Sequence, residues 1–332
     1  MKKKLIISIA LLLVLALAAT GVGVYPIKSS IIELLMGEGL ANDIYIFRGV
    51  RLPRIVMAML VGSLLAVSGC SLQGIFRNPL ATPDLIGVTA GATLMAALTI
   101  VLGEWFRLWI PEVIQYSLIS VAAFTGALFA IILVYGLAKR GGKVEVVIML
   151  LAGVAVSALG FSLVGLLTYV AKDDQLRDLT FWNLGSLGGA TWTKNGILLL
   201  VLVGSFLYLL PQGKALNALM LGETDAEHLG IQVETVKRRV IVFSALMVGV
   251  SVAFCGSINF IGLVVPYLLR LTLGSNFVYL LPFSAVWGAI LLLSADTVSR
   301  TIVAPAELPV GILTALLGAP VFVAILKSSM KW

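Results

Sequence analysis

The chain has 332 residues, of which 60% are hydrophobic and 12% charged, with 23 Lys and Arg against 16 Asp and Glu. Soluble domains carry charge on about a quarter of their residues, so this composition, with a mean hydropathy of +1.09, excludes a water-soluble globule. Apolar runs of about 20 residues also exclude a β-barrel, whose strands are shorter and alternate, and leave an all-α polytopic membrane protein.

In chain order, Met1-Lys-Lys-Lys4 precedes an apolar run to about Val24. A secretory leader has this form, and Ala16-Leu17-Ala18 imitates a cleavage site, but about 20 apolar residues are long for a leader core and enough to span a bilayer. The run is read as a retained first helix. Further apolar runs predict helices at 55–75, 84–102, 113–137, 146–170, 193–210, 239–257, 260–273, 279–298 and 308–327, with 260–273 short for a full crossing. About ten spans in a single domain over 1–332, with both termini cytoplasmic, place 14 of the 23 Lys and Arg inside. That is the sign the positive-inside bias requires. Lys139 to Lys143 and Lys237 to Arg239 are its clearest stop points; Arg107 counts as outside and Lys331 as inside. The net charge of +7 thus belongs to topology, and no basic segment interleaved with aromatics points to nucleic acid. Small residues within spans (Gly62, Ser63, Ala66, Ser68, Gly69, Gly249, Ala253, Gly256) predict helices that approach closely.

Arg48, Arg51 and Arg54 stand before the second span, on the side where the bias disfavours them. Pro53 argues for an extended lead-in and a helix beginning near that proline. Arginines there either snorkel to headgroups or receive an acidic partner, because a guanidinium pairs with carboxylates through two hydrogen bonds. Arg300 could complete a ring. At the other mouth of this span lies Gln73-Gly-Ile-Phe-Arg-Asn-Pro-Leu-Ala-Thr-Pro83, in which Asn78, Pro79 and Pro83 predict a rigid turn.

Gly136-Leu-Ala-Lys-Arg-Gly-Gly-Lys143 resembles a phosphate loop superficially, but Val144 stands where Ser or Thr would bind magnesium, and no strand precedes it. Any ATP chemistry must then come from a separate subunit. The polar insertion 211–238 predicts two short cytoplasmic helices broken near Gly222-Glu223-Thr224. Leu216, Leu219 and Met220 would form one apolar face, continued by Ala226 and Leu229, for a partner groove or for packing back on the bundle. Asp296 is a lone acid within a span, a candidate ion relay, although Arg300 at i+4 gives a sufficient structural reason. Cys70, Cys255 and His228 are too few for a Cys/His metal cage. His228 reads as a surface residue.

Arg51–Arg54, Gly69 to Gln73, Asn78–Ala81, Gly87 to Gly91, Leu151–Ala155, Trp182 to Gly185, Leu216–Gly230, Gly256 to Pro266, Ala295–Arg300, Glu307–Gly311 and Gly318–Phe322 occur in an order that resembles the permease subunits of iron-siderophore, haem and vitamin B12 ATP-driven importers. The resemblance covers nearly all the chain after residue 45. It implies a type II importer permease in the bacterial cytoplasmic membrane, a homodimer of ten-helix subunits around a central pathway, and no cofactor. Two ATP-hydrolysing subunits would dock inside and a substrate-binding protein outside. By that resemblance Arg51, Arg54 and Arg300 receive acids of the binding protein. Leu216, Asn217, Leu219, Leu221, Gly222, Glu223, Ala226, Leu229 and Gly230 belong to helices that couple to the ATPase. Val146 and Val147 stand at the inner gate, where the B12 permease has small hydroxyl residues, and Gln73, Asn78 and Pro79 border the pathway. Pro266-Tyr267 departs from the usual Pro-His. The implied cargo is a bulky metal-containing compound: ferric siderophore, haem, B12 or molybdate. The alternative is an ion-coupled secondary transporter using Asp296.

Overall fold

The computed structural model describes residues 1–106 and 117–329. Arg107, Lys331 and the start of the span expected at 113–137 lie outside the described residues.

The apolar helices fall close to the predicted ranges of the spans. They are α1 (Lys2–Gly21), α4 (Leu52–Ile75), α5 (Val88–Phe106), α6 (Leu118–Ala138), α7 (Val146–Val170), α9 (Trp192–Leu209), α12 (Val233–Cys255), α13 (Ile261–Leu273), α14 (Phe277–Ser299) and α15 (Val310–Ser329). Seven of the described helical stretches are long and apolar enough to cross a bilayer, and Val88–Gly103, Ile261–Leu273 and Val310–Ala324 are shorter apolar helices. At about 1.5 Å per residue, α13 reaches about 20 Å, short of a hydrocarbon core of about 30 Å. It begins beside Leu65 and Gly69, well down the length of α4.

Between the crossings lie α2 (Ile31–Met36), α3 (Ala41–Tyr45), α8 (Asp173–Leu184), α10 (Gly213–Leu219), α11 (Glu223–His228) and a two-strand hairpin, β1 (Lys139–Arg140) with β2 (Lys143–Val144). The look-alike phosphate loop is this hairpin: Gly141 and Gly142 both take positive φ at its tip, the geometry of a tight two-residue turn. The helix expected from 84 starts at Val88, because Pro83–Ile86 form a 3₁₀ turn that Gly87 ends in the left-handed region.

The lead-in to α4 is helical, contrary to the extended segment expected before Pro53. Ile46–Arg51 form a π-helical turn between α3 and α4, and the Leu52 N–H donates to the Phe47 carbonyl. In a regular helix the proline ring would meet the carbonyl four residues back and leave it without a donor. The wider turn gives the ring room, and Asn195 Nδ2 donates to the Pro53 carbonyl at 2.8 Å.

The core centres on α4, which is nearly all buried and packs against α14, α12, α13, α9 and α1. Lipid is as apolar as leucine, so dispersion between close backbones holds such helices together. Gly62 and Gly288 bring α4 and α14 into backbone contact. A Cβ on either would run into the carbonyl oxygen of the other.

Candidate functional site

The end of the bundle where α4 begins and α14 stops is organised by buried charge. Asp296 of α14 is 0% exposed and lies between two arginines. Arg54 Nε donates to its Oδ1 at 3.0 Å and Arg54 Nη2 stands 3.0 Å from the same oxygen. Arg300 Nε is 3.2 Å from Oδ2, an ion pair without hydrogen-bond alignment. Arg54 Nη1 also donates to Glu307 Oε2 at 2.7 Å. Arg300 further donates to the Val22 carbonyl at 3.2 Å and to Thr297 Oγ1 at 3.3 Å. Arg51 donates to the Thr20 carbonyl at 2.7 Å and to the Tyr25 carbonyl. Arg51, Arg54 and Arg300 are thus all buried. The α1 terminus, the start of α4 and the end of α14 converge there, and a guanidinium removed from water must find in-chain acceptors. Glu307, whose side chain is 47% exposed, is the part of this network that reaches solvent.

Asp43 forms a second anchor, at the same end of the bundle, that sequence reasoning missed. It is buried and accepts from the Tyr25 hydroxyl at 3.0 Å, the Lys28 N–H at 3.0 Å, and the Ser29 N–H and hydroxyl, both at 2.8 Å. That bond holds the Tyr25 phenol above its usual pKa, since ionisation would set two anions side by side.

At the opposite end of the bundle, α10 and α11 form the expected pair, but their faces divide differently. Leu216, Leu219 and Ala226 are buried against the bundle. Met220, Leu221 and Leu229 point outward, Leu221 being 69% exposed. The single apolar face proposed from spacing is therefore corrected to two: Gly222 turns the chain between the helices, and Gly230 ends the pair at positive φ. Asn217 ties α10 to α14, donating to Asn276 Oδ1 at 2.9 Å and accepting the Phe277 N–H at 2.9 Å. His228 is exposed.

Val146 and Val147 form the first turn of α7. Val146 packs on the core while Val147 is 69% exposed, facing away from the subunit. In the 73–83 turn Asn78 Oδ1 accepts the Leu80 N–H at 2.9 Å, and Asn78 and Pro79 are exposed. Gln73 is fully buried, and its amide has no hydrogen-bond partner among the described residues. Tyr267 packs against the Leu263 and Val264 cluster.

The structure thus separates the candidates into a charged network at one end of the bundle, a helix pair at the other, and the first turn of α7. The acids Asp43, Glu223, Glu234 and Glu307 were not singled out for pairing. Only Glu234, three residues before Lys237, carried a spacing that could have revealed a partner.

The FecCD transport family matches residues 9–328. The hemin transport system permease protein HmuU of Yersinia pestis is 42% identical over 314 residues, 94% of this chain and 91% of that protein. The vitamin B12 import system permease protein BtuC of Vibrio vulnificus is 40% identical over 279 residues, 84% of this chain and 82% of that protein. The inward-facing structure of a transporter assigned to the metal-chelate ABC type superposes with a TM-score of 0.86 at 32% identity, covering 99% of this chain and 100% of that one. These relatives, and an Asp296 whose two oxygens both face arginines, leave the ion-coupled alternative unsupported.

Proposed function

The chain belongs to the FecCD transport family, and from that premise we infer how this permease of an ATP-binding-cassette importer works. Two copies enclose a pathway along a twofold axis in the bacterial cytoplasmic membrane. Two ATP-hydrolysing subunits bind inside and a substrate-binding protein docks outside. Lys2–Lys4 and Lys327 then lie in the cytoplasm.

The observation that carries the ATPase contact is the outward set Met220, Leu221 and Leu229 on a polar projection. Apolar side chains on a short helix pair, with a second apolar set already buried behind them, fit a groove in a partner. On the outer side, docking engages the Arg54–Glu307 edge: a partner carboxylate that replaces Glu307 meets a guanidinium already oriented by Asp296. Arg51 and Arg300 hold that edge in place. Val146 and Val147 form the inner constriction, and Gln73, Asn78 and Pro79 border the route.

The cargo is a metal chelate, with haem and ferric siderophore foremost. Two valines make a constriction that suits an apolar macrocycle better than the amide-fringed ring of B12. ATP binding closes the two ATPases, α10 and α11 shift, and the bundle changes the side to which its pathway opens.

The test is purification of the tagged chain in mild detergent with mass spectrometry of its companions, followed by uptake in liposomes. An ATPase near equal stoichiometry and ATP-dependent uptake of haem or a ferric siderophore are expected. A chain that emerges alone and transports without ATP would sink the reading.

A further inference from the structure

Lys237, in the first turns of α12, is 2% exposed. Its ammonium has three hydrogen-bond donors, and all three are used. They reach Glu223 Oε2 at 2.6 Å, the Val144 carbonyl at 3.0 Å and Glu234 Oε1 at 3.2 Å. Glu234 Oε2 in turn accepts the Val144 N–H at 2.9 Å. Val144 is therefore held at both its N–H and its carbonyl. Glu223 opens α11, Val144 ends β2, and α7 begins at Val146. One buried cation thus joins the cytoplasmic projection to the head of the helix that carries Val146 and Val147. A lysine that merely balanced surface acids would lie in solvent and gain little from the pairing; it would have no use for a backbone carbonyl.

We propose that Lys237 is the positioning residue that delivers displacement of α11 to α7. The inference rests on α10 and α11 being the ATPase-engaging element. When Glu223 moves with α11, its bond draws Lys237. Val144, gripped at both polar groups, follows, and the first turn of α7 moves with it. The contacts form a contiguous physical network rather than a matter of proximity alone.

The test uses the complete complex of permease, ATPase and binding protein in liposomes, with a spin label at Val147→Cys in each copy. Cys70 and Cys255 are buried and stay unlabelled. In the parent complex ATP must change the distance between the two labels. If it does not, the reading of α10 and α11 fails and the joint fails with it. Lys237→Met keeps the apolar stem and removes the three donors. Hydrolysis within about twofold of the parent, uptake lower by about 10-fold and loss of the ATP-driven distance change are expected, an effect typical of a coupling energy. Lys237→Arg, which keeps the charge, recovers part of the uptake. Distance change and uptake that persist in Lys237→Met, or uptake that falls only in proportion to hydrolysis, overturn the proposal. Glu223→Ala, which leaves no acceptor there for the ammonium, supplies a second arm should the methionine variant fail to assemble, since Lys237 then keeps Val144 and Glu234. Uptake per ATP must fall in that variant at unchanged thermal stability, and an unchanged ratio overturns the joint.

Discussion

Asp296, Arg54, Arg300 and Glu307 place two acids against two guanidinium groups in a space from which water is largely excluded. Removing one member of such a set costs more than the set contributes, because the charges left behind stay buried. Asp296→Asn should destabilise the subunit by on the order of 3 kcal/mol, seen as a lower unfolding midpoint in detergent, with uptake and folded protein lost together. Loss of uptake at an unchanged midpoint would return Asp296 to a transport role. Glu307 is half in solvent, and its pair with Arg54 is screened, worth under about 1 kcal/mol. Glu307→Gln should leave the midpoint nearly unmoved and strengthen binding-protein docking several-fold, because the incoming carboxylate no longer competes with an anion already in place. Weaker docking, measured by interferometry on immobilised permease, would show that Glu307 itself contacts the partner. The Asp296–Arg300 pair was legible from its i,i+4 spacing, whereas the contacts of Arg54 were not. Arg54 and Asp296 lie 242 positions apart, and only their shared position at the outer ends of two spans hinted that they meet.

Among the elements, the crossings were the most legible, since a bilayer demands about 20 apolar residues and the chain supplies them. The short outer helices were not. α2 carries a capping box in which Ser30 and Glu33 satisfy each other's backbone, a readable signal, but its six residues have no apolar period of their own. The lead-in to α4 was misjudged because Pro53 signals a helix boundary locally, while the π turn that accommodates it is set by the surrounding helices. The α10–α11 pair was found, but its faces were not, because a seven-residue helix offers too few positions to decide which side is covered. A substitution pair tests the assignment now made. Leu221→Asp should release the ATPase in a pull-down at unchanged thermal stability. Leu216→Asp, which buries a carboxylate among apolar neighbours, should reduce the amount of folded protein instead. Equal behaviour of the two variants would contradict the division. Gly62→Ala should also destabilise, by about 1–3 kcal/mol, since the methyl group can be housed only by parting α4 from α14.

For the whole molecule, the fold follows from hydropathy, whereas its working surfaces depend on copies and partners that lie outside one subunit. Val147 is exposed at the inner end of α7, and in the homodimer we infer it faces its twofold mate. A disulfide between copies of Val147→Cys, formed under mild oxidation and seen as a doubled mass on a non-reducing gel, is the expected outcome. Failure to cross-link in a complex that still transports would move the twofold axis elsewhere. The two glycines that bring α4 and α14 into backbone contact bear on motion as well as stability. A seam with no side chain between its halves leaves neither helix room to roll or slide without collision. That pair is the stator of the machine. The opening and closing stroke must belong to other helices of the bundle.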